Sequence, residues 1–169
     1  MSATKTTYRK EEIWDWLKEI TDPEIPVLNI VEMGIARGVE VEGERVLIRI
    51  TPTYSGCPAM AAIEKEVREK LEEKGLDDFE VKKDFSETWT TDWMTEEAKE
   101  KLKEYGIAPP DMTTDEDLLE SFKKQAKVIP CPYCDSLNTE LQSEFGSTPC
   151  KSQYYCNDCD EPFEHFKCV

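Results

Sequence analysis

Cys131-Pro132-Tyr133-Cys134 and Cys156-Asn157-Asp158-Cys159 are two Cys-x-x-Cys knuckles separated by residues 135 to 155. The spacing lets two thiolates on one tight turn reach a single ion. Two such turns supply four sulfurs at tetrahedral positions about 2.3 Å from Zn²⁺. The stretch between them is long enough for a hairpin, with Thr139 to Phe145 and Gln153 to Tyr155 as short strands. A module of roughly forty residues buries little core, so its fold needs a bound ion. Zinc is favoured over a single iron. Four thiolates leave no position for substrate, so the expected role of Cys131, Cys134, Cys156 and Cys159 is structural.

Six of the seven cysteines lie from Cys131 onward. Cys150 and Cys168 are left over as packed thiols, a redox pair or thiols of a second metal site. His165 is the one histidine and lies between Phe163 and Phe166. A packed or surface role suits it better than ligation, and a single histidine makes a His-based hydrolase hard to build. Lys151 and Lys167 are the only basic residues after Cys131, so no basic stripe exists for nucleic acid.

The formal net charge is −16, from 37 acids and 21 bases. Such a surface repels phosphate backbones and anionic membranes. It serves solubility, or it steers a basic partner. No apolar run approaches the roughly 18 residues that span a bilayer. Met1 to Lys10 is polar and unlike a signal peptide. The expected location is the cytoplasm, where thiols stay reduced and serve metals or chemistry rather than disulfides.

Upstream of the ribbon the order of elements reads α-β-β-α-β. Met1 to Thr7 is expected to be a disordered tail. Ile13, Trp14, Leu17 and Ile20 recur at helical spacing. Asp22-Pro23-Glu24-Ile25-Pro26 ends that helix in a rigid, acid-bearing loop. Val39 and Val41, then Val46, Ile48 and Ile50, alternate with polar residues around Glu42-Gly43-Glu44, a hairpin signature. Met60, Ile63, Val67 and Leu71 form one helical stripe, with Gly75 as its stop. Phe79-Glu80-Val81 begins a third strand. Trp89, Trp93 and Met94 in a polar loop suit an interface or a core equally. Thr95 can cap a helix through about Tyr105. The fold class is α+β: a small mixed sheet with helices over 1–108, a linker over 109–127, and the four-cysteine ribbon over 128–169. Within the linker, Leu118, Leu119 and Phe122 could form a short helix.

Cys57 stands alone in the first domain. Gly56 permits a turn and Pro58 suits the first helical position, which puts Cys57 at or beside a helix N-terminus. The helix dipole and free N–H groups there lower a thiol pKa. The competing reading is a buried small hydrophobe. Asp22 and Glu24, pre-positioned by prolines, are the accompanying candidates; alone they read as capping or turn residues.

Asp22-Pro23-Glu24-Ile25-Pro26-Val27, Glu32-Met33-Gly34-Ile35 and Thr51-Pro52-Thr53-Tyr54-Ser55-Gly56-Cys57-Pro58 resemble the MIP18 (DUF59) family, which is associated with iron–sulfur cluster assembly. Glu32-Met33-Gly34 stands where that family usually has an acidic-Leu-Gly segment. Over almost the whole chain, Trp89-Thr90-Thr91-Asp92-Trp93-Met94, Tyr105 to Pro110, Ser143 to Thr148 with Cys150-Lys151, and Glu161 to Cys168 resemble the PaaD (PaaJ) family. That family serves the phenylacetyl-CoA epoxidase system of aerobic phenylacetate breakdown.

The resemblance implies an accessory or maturation role rather than enzymatic chemistry. The epoxidase's catalytic subunit uses a di-iron centre, and its reductase carries flavin and a [2Fe–2S] cluster. This chain has no Gly-rich dinucleotide fingerprint and no Glu-x-x-His pair. The expectation is that Cys57, with Asp22 or Glu24, transiently ligates iron or an iron–sulfur cluster for the reductase or oxygenase component. A homodimer or the recipient would supply the remaining ligands. The alternatives are a non-catalytic adaptor within the epoxidase complex, or a thiol transferase acting through Cys57, for which no general base is identifiable.

Overall fold

In the computed structural model, residues 8–110 and 128–167 are described. The expected tail Met1 to Thr7, the segment Asp111 to Lys127 with its short helix, and Cys168 lie outside the described residues. The chain divides into two compact units, Met1–Trp89 and Thr90–Val169.

In the first unit, helix α1 (Lys10–Leu17) precedes strands β1 (Ala36–Glu42) and β2 (Arg45–Ile50), helix α2 (Ala59–Glu73) and strand β3 (Phe79–Lys83). The sheet order is β1-β2-β3, with β1 and β2 antiparallel and β2 and β3 parallel. This is the mixed sheet with helices that the sequence predicts. Glu42 pairs with Arg45 across a two-residue loop. Gly43 takes φ +68° at its first position, where a tight hairpin turn needs a positive φ. Val39, Val46, Ile48, Ile50 and Val81 from the sheet are buried, as are Ile13 and Leu17 of α1 and Ile63, Val67 and Leu71 of α2. Alternation on the strands and helical spacing on α1 and α2 turn these side chains to one shared core.

Helix α2 ends where Gly75 enters the left-handed region at φ +82°. The Gly75 N–H donates to the Glu72 carbonyl (2.9 Å) and the Leu76 N–H to the Leu71 carbonyl (3.0 Å). This paired closure satisfies two carbonyls that the helix leaves open. Leu71 and Leu76 are both buried beneath it.

The second unit holds a 3₁₀ turn (Thr91–Trp93), helix α3 (Glu96–Glu104) and strands β4 (Ile107–Ala108), β5 (Thr139–Ser143), β6 (Lys151–Cys156) and β7 (Pro162–Phe166). Thr95 caps α3 as its sequence implies, its Oγ1 accepting the Ala98 N–H at 3.1 Å. The sheet order is β4-β7-β6-β5. Two of these strands, β4 and β7, are additions to the sequence reading. Ile107 pairs with Glu164 and Ala108 with His165 in parallel. Helix α3 and β4, grouped by sequence with the first domain, therefore fall in the unit that carries the ribbon. Among the described residues, no helix is long and apolar enough to cross a membrane.

Leu71→Ala empties a fully buried site and is expected to cost about 2–5 kcal/mol. Phe85→Ala, at a side chain 62 % exposed, should stay within about 0.5 kcal/mol of wild type. Urea unfolding followed by circular dichroism compares the two.

Candidate metal centre and a separate thiol

The two knuckles fold as repeats of one local structure. In the first, the Cys131 N–H donates to the Ser136 carbonyl at 2.9 Å; in the second, the Cys156 N–H donates to the Glu161 carbonyl at 3.0 Å. Each turn closes with an aspartate in the left-handed region, Asp135 and Asp160, both at φ 58°. Aspartate tolerates this conformation better than most residues. Antiparallel pairing of Thr139 with Cys156 brings the knuckles to the same end of the β5–β6 hairpin.

The result is a four-sulfur cluster. Sγ of Cys131 lies 3.7 Å from that of Cys159, and Sγ of Cys134 lies 3.6 Å from that of Cys156. The four ligand atoms all fall within 4.8 Å of one another. A disulfide would need about 2.05 Å. A tetrahedron with metal–sulfur distances of about 2.3 Å has edges of about 3.8 Å, so the set fits a tetrahedral thiolate-bound ion. Cys131 and Cys156 are buried, Cys159 is half-buried and Cys134 is exposed. Ala108, Ile129, Tyr154 and Phe163 pack around the two buried thiols.

The protons on these sulfurs show what a cation must do. Burial raises the Cys156 pKa, but the N–H groups of Cys159 and Asp158 and the thiols of Cys159 and Cys134 outweigh it and bring Cys156 to about 7. Burial, then the thiols of Cys134, Cys156 and Cys131, push Cys159 up to about 12. Without a cation the sulfurs cannot all ionise near neutral pH. Zinc, when bound, deprotonates them and fills the tetrahedron.

Cys57 lies in the first unit, on the turn that leads into α2. Its N–H donates to the Tyr54 carbonyl (3.1 Å), and its carbonyl accepts the Met60 N–H (3.3 Å). Pro58 is the helix N-cap, one position earlier than the sequence suggests. The half-buried thiol meets the N–H groups of Ala59 and Met60 and the Thr53 hydroxyl, and it feels the charge of the Glu24 carboxylate. The sequence leads one to expect a lowered thiol pKa, and the structure reverses it. Burial raises the Cys57 pKa, Glu24 adds to that, and the helix-start N–H groups and Thr53 do not offset them.

Asp22 is buried, and its Oδ1 accepts the N–H groups of Glu24 (2.8 Å) and Ile25 (2.9 Å). That carboxylate holds the Pro-rich loop in shape, and the loop sets Glu24 within electrostatic reach of the thiol. Asp22, Glu24 and Cys57 do not form a three-ligand metal group; among the described residues, the four-cysteine set is the one such group. Thr53 is the neighbour that sequence reasoning passed over, although it stands inside the Thr51-to-Pro58 segment. Cys150 is buried, with Sγ 3.1 Å from the Thr148 hydroxyl. It precedes β6, at the far end of that strand from Cys156. His165 sits edge-on to Tyr154 with centroids 6.0 Å apart, and its Nδ1 is 3.4 Å from the Ser152 hydroxyl. Trp89 is buried and donates its indole N–H to the Met33 carbonyl at 3.0 Å.

Residues 116–167 match the PaaD zinc beta ribbon domain, and residues 10–82 match the iron-sulfur cluster assembly protein family. A putative 1,2-phenylacetyl-CoA epoxidase subunit of Escherichia coli (strain K12) is 44 % identical, over 99 % of this chain and 98 % of that one. This chain belongs to the PaaD family. The PaaD ribbon match ends at Lys167 and includes all four clustered cysteines. The chain is further similar to an Fe-S protein maturation auxiliary factor of Porphyromonas gingivalis, 36 % identical over 55 % of this chain and 90 % of that protein. A crystal structure of a DUF59 domain from Bacillus anthracis superposes with TM-score 0.50 at 25 % identity, covering 53 % of this chain and 87 % of its own. The PaaD architecture is thus a DUF59-type α+β unit joined to a metal-binding ribbon.

Two outcomes follow from the thiol environments. Cys156→Ser is expected to abolish stoichiometric zinc binding and strand order in the ribbon, read by metal analysis and by amide exchange in 139–166. Glu24→Gln removes the negative charge beside Cys57 and lowers its pKa. Peptide-resolved iodoacetamide labelling of Cys57 should therefore be faster in that variant at pH 8, and in wild type should still be rising above the ordinary thiol range.

Proposed function

We propose that this PaaD-family chain is an accessory maturation factor of the phenylacetyl-CoA epoxidase system. It works in the cytoplasm and passes iron or an iron–sulfur cluster to the reductase or oxygenase component. The observation that carries the reading is half-buried Cys57 at the start of α2, held by the Ala59 N–H and the Thr53 hydroxyl within electrostatic reach of Glu24 and outside the four-cysteine cluster.

At rest, burial and Glu24 favour the protonated thiol. An arriving cation changes the balance. It displaces the thiol proton, since a coordinating thiol is deprotonated by its metal. The carboxylate that opposed a bare thiolate then attracts the positive charge. Thr53 and the N–H groups of Ala59 and Met60 hold the sulfur in place. One thiolate and one carboxylate leave iron under-coordinated. Remaining ligands come from a second copy or from the recipient, and such a site releases its cargo readily. Zinc in the ribbon, held by four thiolates, stays.

The test is complementation of cells that lack this chain. With Cys57→Ser, growth on phenylacetate should fail and the reductase or oxygenase component should be purified short of iron. Full metal content and normal growth would refute the proposal. A second reading, a structural adaptor, takes support from the E. coli relative, which is named as a component of the epoxidase itself. It requires co-purification at fixed stoichiometry and full activity of Cys57→Ser.

A further inference from the structure

The knuckle end of the ribbon carries apolar side chains that the fold holds in water. Leu137 is 64 % exposed and Tyr133 57 % exposed. Neither is loosely placed. Leu137 lies between Ser136 and Asn138, and both neighbours bind Asp158 of the other knuckle: the Ser136 hydroxyl donates to one oxygen and the Asn138 amide to the second, at 2.7 Å. The Asn157 N–H donates to the Asn138 carbonyl at 2.9 Å and closes the bracket. Tyr133 lies over Gly106, where a Cβ would come within 2.5 Å of its hydroxyl. A glycine and a cross-knuckle hydrogen-bond bracket therefore fix two exposed apolar groups on metal-clamped turns. Pre-ordered anchors of this kind lose little entropy on binding, which is how a few residues come to dominate an interface.

The charge around them is one-sided. Residues 128–167 contain seven acids and two lysines. Both lysines are used within the unit, Lys151 against Glu164 at 3.0 Å and Lys167 against Glu144 at 3.7 Å. Asp135 pairs with Lys103. Asp158, Asp160 and Glu161 of the second knuckle are exposed, with no ion pair among the described residues. A divalent ion with four thiolates adds net negative charge beneath them. Nucleic acid and anionic lipid are repelled by this field.

We propose that the knuckle end is a docking surface for a protein partner whose apolar pocket takes Leu137 and Tyr133 within a rim of Lys and Arg side chains. Within the accessory role proposed above, on which the choice of probe rests, that partner is a component of the epoxidase. Docking by the ribbon and cargo exchange at Cys57 are then separate tasks of separate units.

Titration calorimetry of the full zinc-loaded chain against purified epoxidase reductase and oxygenase components tests this. Leu137→Ser, with zinc content unchanged, is expected to weaken binding to one component by about tenfold or more. Asp160→Asn with Glu161→Gln should flatten the salt dependence of that affinity. Phe145→Ser alters a side chain 60 % exposed at the opposite end of the β5–β6 hairpin and should bind as wild type does. Equal affinity of wild type and Leu137→Ser overturns the docking surface while leaving the accessory role standing. So does a loss confined to Phe145→Ser. Absence of any complex with wild type overturns both.

Discussion

The second unit is built around four sulfurs placed to hold one ion. The thiols cannot all shed their protons near neutral pH by themselves: Cys156 is brought down to about 7, while burial and the neighbouring thiols push Cys159 up to about 12. A divalent cation removes that conflict, and the free energy of its binding becomes folding free energy. The consequence reaches beyond the knuckles. Cys131 and Cys156 are fully buried within the small core of Ala108, Ile129, Tyr154 and Phe163. Tyr154 and Phe163 stack at 5.6 Å across β6 and β7. The β7 strand in turn pairs with β4. Loss of the ion would free the β5–β6 start, then the core, then the edge that holds Ile107 and Ala108.

The first unit needs no such clamp. Its core is built from aliphatic residues of α1, α2 and three strands, and its chemistry is confined to one turn. There the same carboxylate has opposite effects in two states. Glu24 disfavours a bare Cys57 thiolate, and it favours a cation that the thiolate would hold. In the proposed role, a thiol guarded in this way would stay protonated until metal arrives, which would limit unwanted oxidation.

Much of this is legible in the sequence, and what is not has physical causes. The β1–β2 hairpin, the α2 stripe and the Thr95 cap announce themselves through periodicity and capping chemistry, which are local. The knuckle spacing identifies the ligand set. Strand β7 is five residues beginning with proline, and β4 is two residues; such segments become strands through their partners, not through their own pattern. The left-handed Asp135 and Asp160 carry no glycine to mark the turn. Helix α3 belongs with the ribbon because β4, directly after it, pairs with β7, a contact of high sequence separation. The thiol shift at Cys57 has the opposite sign to the one its sequence suggests. Helix position can be seen in the sequence, whereas burial and the approach of Glu24 cannot.

Metal and acid-labile sulfide analysis of the anaerobically purified chain, wild type beside Cys57→Ser, bears most directly on this division of labour between sulfurs. Zinc is expected at one per chain in both proteins, and iron, with or without sulfide, in wild type only after exposure to an iron source. Iron bound equally by Cys57→Ser, or a ribbon closed by S–S bonds without zinc, would contradict it.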